Sequence, residues 1–208
     1  VLAWNAPQAI AELPVTGAPS SGPNSTHASS LGQLQLLLQA HFAADNPGAA
    51  ADDADEPARL AALAASGALD QRHHRLYADT ARQAANAFDT RYAQVSWIDA
   101  DTVFAPGALL PAAALSEGVA RDNTICTHLV EEQAPLVIED LLGDPRMVDL
   151  PLVKHHGLRF YAGVPLRHDG LVIGSLCIVD DQPRQLSDND QALLVRMADT
   201  LMQAIGGP

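Results

Sequence analysis

The residues best equipped for chemistry lie in the second half of the chain: Cys126 and His128 two positions apart, the run holding Asp140, Asp144 and Arg146, the pair His155-His156, the pair Phe160-Tyr161, and Cys177. A thiol and an imidazole can bind a metal, a haem or a bilin. Residues i and i+2 of a regular helix do not share a face, however, so Cys126 and His128 cannot clamp one ion from such a helix. They are expected to line a pocket or pack. Adjacent histidines on a loop, with no third ligand nearby, are expected to face solvent. Asp140, Asp144 and Arg146 should cap turns and pair with each other, although a loop arginine beside a pocket can grip a carboxylate or phosphate through two parallel N–H groups. Phe160 and Tyr161 point to opposite faces of a strand, so one should meet a pocket and the other a helix layer. Cys177 sits in an apolar run, where a thiol is usually inert. Nucleophile, base and orienting group cannot be assembled from this set, so no catalytic residues are assigned.

The element that must position these groups is the stretch RFYAGVPLRHDGLVIGSLCIVD, Arg159 to Asp180. Two apolar runs flank Asp169-Gly170, and such a pair supplies the positive φ that a tight hairpin turn needs. The second arm, Leu171 to Val179, is apolar at almost every position, so it should lie centrally in a sheet with both faces covered. Ala93 to Asp99 alternates like a strand; Thr102 to Leu110 is a weaker arm because of Pro106 and Gly107; Leu136 to Glu139 forms a third. Trp97 is expected in the core. Asn123 or Thr124 should cap a short helix through Cys126, His128, Leu129 and Glu132, and Asp140 to Gly157 reads as a long connection.

Helices surround these strands. Pro57 begins a short one with Leu60, Leu63 and Gly67 on one face, and a second runs from Gln71 to Phe88 with Tyr77, Ala81, Ala84, Ala85 and Phe88 in phase. Ser187 caps the last, whose apolar face is Leu194, Met197, Ala198, Leu201, Met202 and Ile205. Residues 1–55 form an Ala/Pro/Ser/Gly-rich arm, a capped helix over 30–44 and an acidic linker; the Leu31 to Phe42 helix and the final helix are the expected homodimerisation elements. Residues 111–117 are an irregular connection or short helix.

With Lys+Arg 12 against Asp+Glu 25 the net charge is -13 and no basic cluster breaks it, so nucleic acid and anionic membrane surfaces are poor partners. No basic leader or long apolar span is present, and two cysteines do not make a disulfide framework, so the expected location is the cytoplasm.

The segments EPARLAALAASGALD, QVSWIDAD, RDNTICTHLV, LVIEDLLGDPRMVD, the hairpin through RQLSDND and the final helix together resemble a GAF domain of the bacterial sensory type, over residues 56–208. The resemblance implies an α+β fold with a central antiparallel sheet of about six strands, helices on both faces and a small-molecule pocket on one of them. Its implied partners are an unidentified small-molecule ligand and a histidine kinase, diguanylate cyclase or transcription-regulator output. The ligand is not fixed by the fold, and no cofactor is assigned. The pocket residues expected are Cys126, His128, Asp140, Arg146, Phe160 and Tyr161. The Asn-Lys-x-Phe-Asp-Glu pattern of phosphodiesterase GAF domains is absent, and Ile125 stands where bilin binders have Pro-Cys-His. Two alternatives are a degenerate GAF scaffold with a filled pocket, and a free methionine sulfoxide reductase. The second is disfavoured by the two cysteines and the missing Gly-Val-Cys-Gly-like segment.

Overall fold

The computed structural model describes residues 56–109 and 118–206. The expected arm, the helix over 30–44, the acidic linker and the connection over 111–117 lie outside them.

The hairpin is the spine of the fold, with β5 at Phe160–His168 and β6 at Leu171–Asp180. Asp169 (φ 50°) and Gly170 (φ 82°) form its two-residue turn, whose left-handed backbone matches the twist of the strands it joins. With β1 (Tyr92–Ile98), β2 (Thr102–Phe104), β3 (Val119–Ala120) and β4 (Leu136–Ile138), the sheet has the order β3-β2-β1-β6-β5-β4, with antiparallel pairing throughout. β6 is central as expected and is buried from Val172 to Asp180. β2 is shorter than the expected arm, stopping ahead of Pro106-Gly107, where the ladder loses a donor.

One face of the sheet carries α1 (Glu56–Ala65), α2 (His74–Phe88) and α5 (Asp188–Gly206). Tyr77, Ala81 and Ala84 of α2 and Leu194, Ala198, Leu201 and Ile205 of α5 bury themselves on Trp97, Phe160 and Val164. Trp97 is fully buried, edge-on to Tyr77 at 5.3 Å, and a Cβ at Gly174 would lie 2.6 Å from its indole. α5 opens on a reciprocal cap in which the Ser187 Oγ accepts from the Asp190 N–H at 3.2 Å and the Asp190 carboxylate accepts from the Ser187 N–H at 3.1 Å. A 3₁₀ turn, Gln71–His73, precedes α2, so the expected single helix from Gln71 is split; Asp70 caps the turn through the Arg72 N–H. On α1 the buried residues are Arg59, Ala62 and Leu63, and Leu60 is only half-buried: the helix is turned so that Arg59 faces the sheet, for a polar reason given below.

The other face is covered by α3 (Thr127–Glu132), a 3₁₀ turn at Leu141–Gly143 and α4 (Pro151–His156). α4 lies inside the stretch expected to be a long connection. Its signals are local ones: Pro151 in the first turn, where its missing N–H costs nothing, and Gly157 at φ 67° just past the end. α3 begins later than expected because the Thr124 hydroxyl donates backwards to the Arg121 carbonyl at 3.1 Å, closing the 3₁₀ turn Arg121–Asn123 instead of capping a helix; Cys126 takes the N-cap position. Among the described residues no helix is long and apolar enough to cross a membrane.

A buried polar centre as the candidate functional site

Strand alternation sends Ala93, Val95 and Trp97 into the helix layer and Gln94, Ser96 and Ile98 to the opposite face. The register sets Gln94 beside Cys177 and Cys177 beside Gly163, while Ser96 pairs with Ser175. A row of polar side chains therefore crosses the middle of a sheet face otherwise lined by apolar residues such as Ile98, Leu129, Leu141, Met147 and Val179. The Ser96 and Ser175 hydroxyls share a hydrogen bond of 2.7 Å. Tyr161, one step from Gly163 on the same face, lays its ring over that glycine: a Cβ there would lie 2.8 Å from Tyr161 Cζ and closer still to the hydroxyl.

Cys126 reaches this row from the opposite side, from the start of α3. Its Sγ accepts from Gln94 Nε2 and from Tyr161 Oη, each at 3.6 Å. Gln94, Ser96, Cys126, Tyr161, Ser175 and Cys177 are all buried, with Gln94 the most exposed at 6%. The Gln94 Oε1 is buried without a hydrogen-bond partner among the described residues. A buried amide oxygen normally finds a donor, because leaving it unpaired costs about 1–3 kcal/mol. The Cys177 thiol and the Ser175, Tyr161 and Ser96 hydroxyls around Cys126 favour its thiolate more than burial opposes it, and hold it down at about 6. Cys177, whose neighbour already carries that charge, is pushed well up, as is the buried Tyr161 phenol. The cluster can bind a neutral polar group and hold one thiolate. It contains no carboxylate or imidazole to act as a general base.

Of the six residues expected at a pocket, Cys126 and Tyr161 meet here. His128 turns away to Glu131, with Nδ1 and Oε2 2.9 Å apart. Asp140 lies at the cap's edge, its carboxylate capping the Leu142 N–H and receiving Arg159 Nε and Nη2 at 2.8 and 2.6 Å; that guanidinium holds the carboxyl pKa below the ordinary range. Asp140 therefore pairs with Arg159, not with Asp144 and Arg146 as expected. Arg146 is 46% exposed and bound by Asp144 and Glu132, each at 2.7 Å. Phe160 belongs to the helix-layer core. His155 is exposed and His156 half-buried. Among the described residues, no three His, Cys, Asp or Glu side chains are placed to hold a metal.

Gln94, Ser96 and Ser175 escaped the sequence reading, and Cys177 was expected to be inert, although a signal was present. Two polar pairs at i and i+2, in strands that are otherwise apolar, are the mark of a polar row on one face.

A second polar group joins α1 to the cap. The Arg59 guanidinium, 3% exposed, donates to Glu56 at 2.6 and 2.7 Å and to the carbonyls of Ile98 and Asp99. This is why α1 turns Arg59 inward. Arg121 donates to the same carboxylate at 2.7 Å, and the Arg121 carbonyl accepts from Thr127 Oγ1 at 2.6 Å. Arg59 first, and Arg121 with it, hold the Glu56 carboxyl pKa below its ordinary value despite partial burial. One carboxylate thus bridges α1 and the segment that carries Cys126.

The family model for the GAF domain matches residues 72–205. A cyclic di-GMP phosphodiesterase of Pseudomonas aeruginosa is 29% identical over 154 residues, 73% of this chain but 26% of that protein, so the chain spans about a quarter of the curated relative it matches. Among solved structures, the GAF domain of a phosphoenolpyruvate-protein phosphotransferase from Coxiella burnetii superposes with a TM-score of 0.55 at 13% identity, covering 73% of this chain and 92% of that one. A free methionine-R-sulfoxide reductase from Neisseria meningitidis, in complex with its substrate, gives 0.51 at 17% identity, covering 92% and 96%. Likeness at these identities concerns the fold, which sensors and reductases share.

Proposed function

Because the chain belongs to the GAF domain family, we propose that it is a sensory module that recognises a small neutral molecule at the polar centre beneath α3 and performs no chemistry on it. The observation that carries this reading is the unpartnered Gln94 Oε1, buried beside the Ser96–Ser175 pair and the Tyr161 hydroxyl among apolar side chains. An orphaned acceptor of this kind suits a ligand bearing an N–H or O–H donor, and apolar walls with a few convergent polar groups are what small-molecule sites use. Occupancy would move α3, and the Thr127–Arg121–Glu56 connection offers a route from there to α1. The proposed readout is an attached or associated enzyme or regulator: a histidine kinase, a diguanylate cyclase, a transcription regulator or, by the relative above, a cyclic di-GMP phosphodiesterase. A homodimer built through α5 would place two such routes side by side, in the cytoplasm.

A second reading, a scaffold with a filled chamber, is favoured by one observation: Cys126, Tyr161 and Cys177 are 2% exposed or less. Native against denaturing mass spectrometry of the purified protein decides between them. The sensor reading expects an added small-molecule mass that denaturation releases and that Gln94→Leu, which keeps the volume and removes the orphaned acceptor, abolishes. No added mass in either form, together with no thermal shift across a panel of small amides and alcohols, would leave the scaffold. Light scattering on the same sample tests the dimer, which a clean monomer at micromolar concentration would eliminate.

A further inference from the structure

Three contacts place the Cys126 sulfur over Cys177. Gln94 and Gly163 are the two cross-strand neighbours of Cys177, one on each side. Cys126 Sγ is 3.6 Å from the Gln94 amide nitrogen and 3.6 Å from the Tyr161 hydroxyl, and that hydroxyl lies above Gly163. The sulfur is thus tethered to both flanks of Cys177, whose side chain projects from the same face of the sheet. These are the two cysteines of the chain, 51 positions apart, brought together where the cap meets the sheet.

We propose that Cys126 and Cys177 form a redox pair that a peroxide closes into an intramolecular disulfide, pinning α3 to β6. The Cys126 thiolate attacks one peroxide oxygen; the O–O bond breaks and the leaving oxygen takes a proton, giving a sulfenic acid on Cys126 and water or an alcohol. The Cys177 sulfur then attacks the sulfenic sulfur. The S–S bond forms, the S–O bond breaks, and water leaves with the proton from Cys177. The pair, one thiolate and one thiol at the start, loses two electrons and one proton; the peroxide takes them up together with one further proton from water. The roles are unequal because the hydrogen-bond donors converge on Cys126, which favours its thiolate, while Cys177 keeps its proton until the second step. Both sulfurs are buried, so the oxidant has to be close to water in size. This proposal needs no ligand and stands apart from the sensor reading.

The test treats the intact native protein with a small molar excess of hydrogen peroxide, then denatures it, alkylates it and maps the peptides without reductant. The expected result is loss of both alkylation sites, a cross-linked peptide joining Cys126 and Cys177, no intermolecular link, and recovery of both thiols with dithiothreitol. In Cys177→Ser the reaction should stop at a dimedone-reactive sulfenic acid on Cys126. Oxidised glutathione, too large for the site, should react at least tenfold more slowly than peroxide relative to the unfolded chain. Native protein that keeps both thiols while the denatured protein loses them, sulfinic acid on Cys126 with Cys177 still alkylated, or cross-links only between chains would each overturn the proposal. The wild-type map decides the matter even if the serine variant does not fold.

Discussion

Replacing Gly163 by alanine tests how the polar centre is assembled. The backbone at Gly163 does not need glycine's conformations, since its φ lies outside the left-handed region, so the effect is steric alone. The new Cβ would meet Tyr161 Cζ at 2.8 Å and Cε1 at 2.9 Å, with the hydroxyl nearer still. A rigid ring cannot yield as a flexible chain end would, and Tyr161 is fully enclosed, so it must leave its rotamer or push the strand. Overpacking of this kind costs about 2 kcal/mol, which for a domain of this size lowers Tm by roughly 4–8 °C. The displaced hydroxyl also withdraws one donor from Cys126. Tyr161→Phe alone should cost about 1 kcal/mol, the value of that hydrogen bond. In the double variant the hydroxyl clash is gone while the ring-carbon clash remains, so the total should fall short of the sum by roughly 0.5–1 kcal/mol. Urea unfolding of the four proteins measures this. Additivity within about 0.3 kcal/mol, or a Gly163→Ala cost under about 0.5 kcal/mol, would refute the placement of the ring over Gly163 and with it the triangulation of Cys126.

Ultraviolet thiolate absorbance of the native protein should rise with a midpoint near 6, and Cys126→Ser should remove that step. Because the folded value lies below the ordinary thiol value of 9.0, the stability Cys126 contributes is fully present above that value and fades as pH falls toward 6; the gap in unfolding free energy between wild type and Cys126→Ser should narrow in that direction. Glu56→Gln should destabilise by about 2–3 kcal/mol, less than a fully uncompensated buried charge, because Arg59 keeps two carbonyl acceptors. Glu56 is held below its ordinary value, so that loss should be largest at neutral pH and vanish as acid protonates the wild-type carboxyl, as denaturation midpoints taken at several pH values would register. Arg146→Ala, at a site 46% exposed, should change stability by no more than about 1 kcal/mol in the same assay.

The hairpin, the central place of β6, the capped final helix and the opposite facing of Phe160 and Tyr161 were all legible in the chain, because turn chemistry, apolar runs and strand alternation are properties of neighbouring residues. α4 was also written locally, in Pro151 and Gly157. Tertiary structure alone decided the rest. Which strand lies beside which is set by packing across the whole sheet, and only that register makes Gln94, Cys177 and Gly163 one row. Whether Arg159 or Arg146 takes Asp140 depends on where two loops meet, since opposite charges pair at the distance the fold gives them and not at their distance along the chain. The sequence by itself determined the main strands and helices and the faces most of them present, whereas the inward turn of Arg59 on α1 depended on carbonyls that only the folded sheet supplies. The meeting of Cys126 with Cys177, from residues on different layers, required the cap to be folded onto the sheet, because burying the apolar wall around them is what draws those layers together.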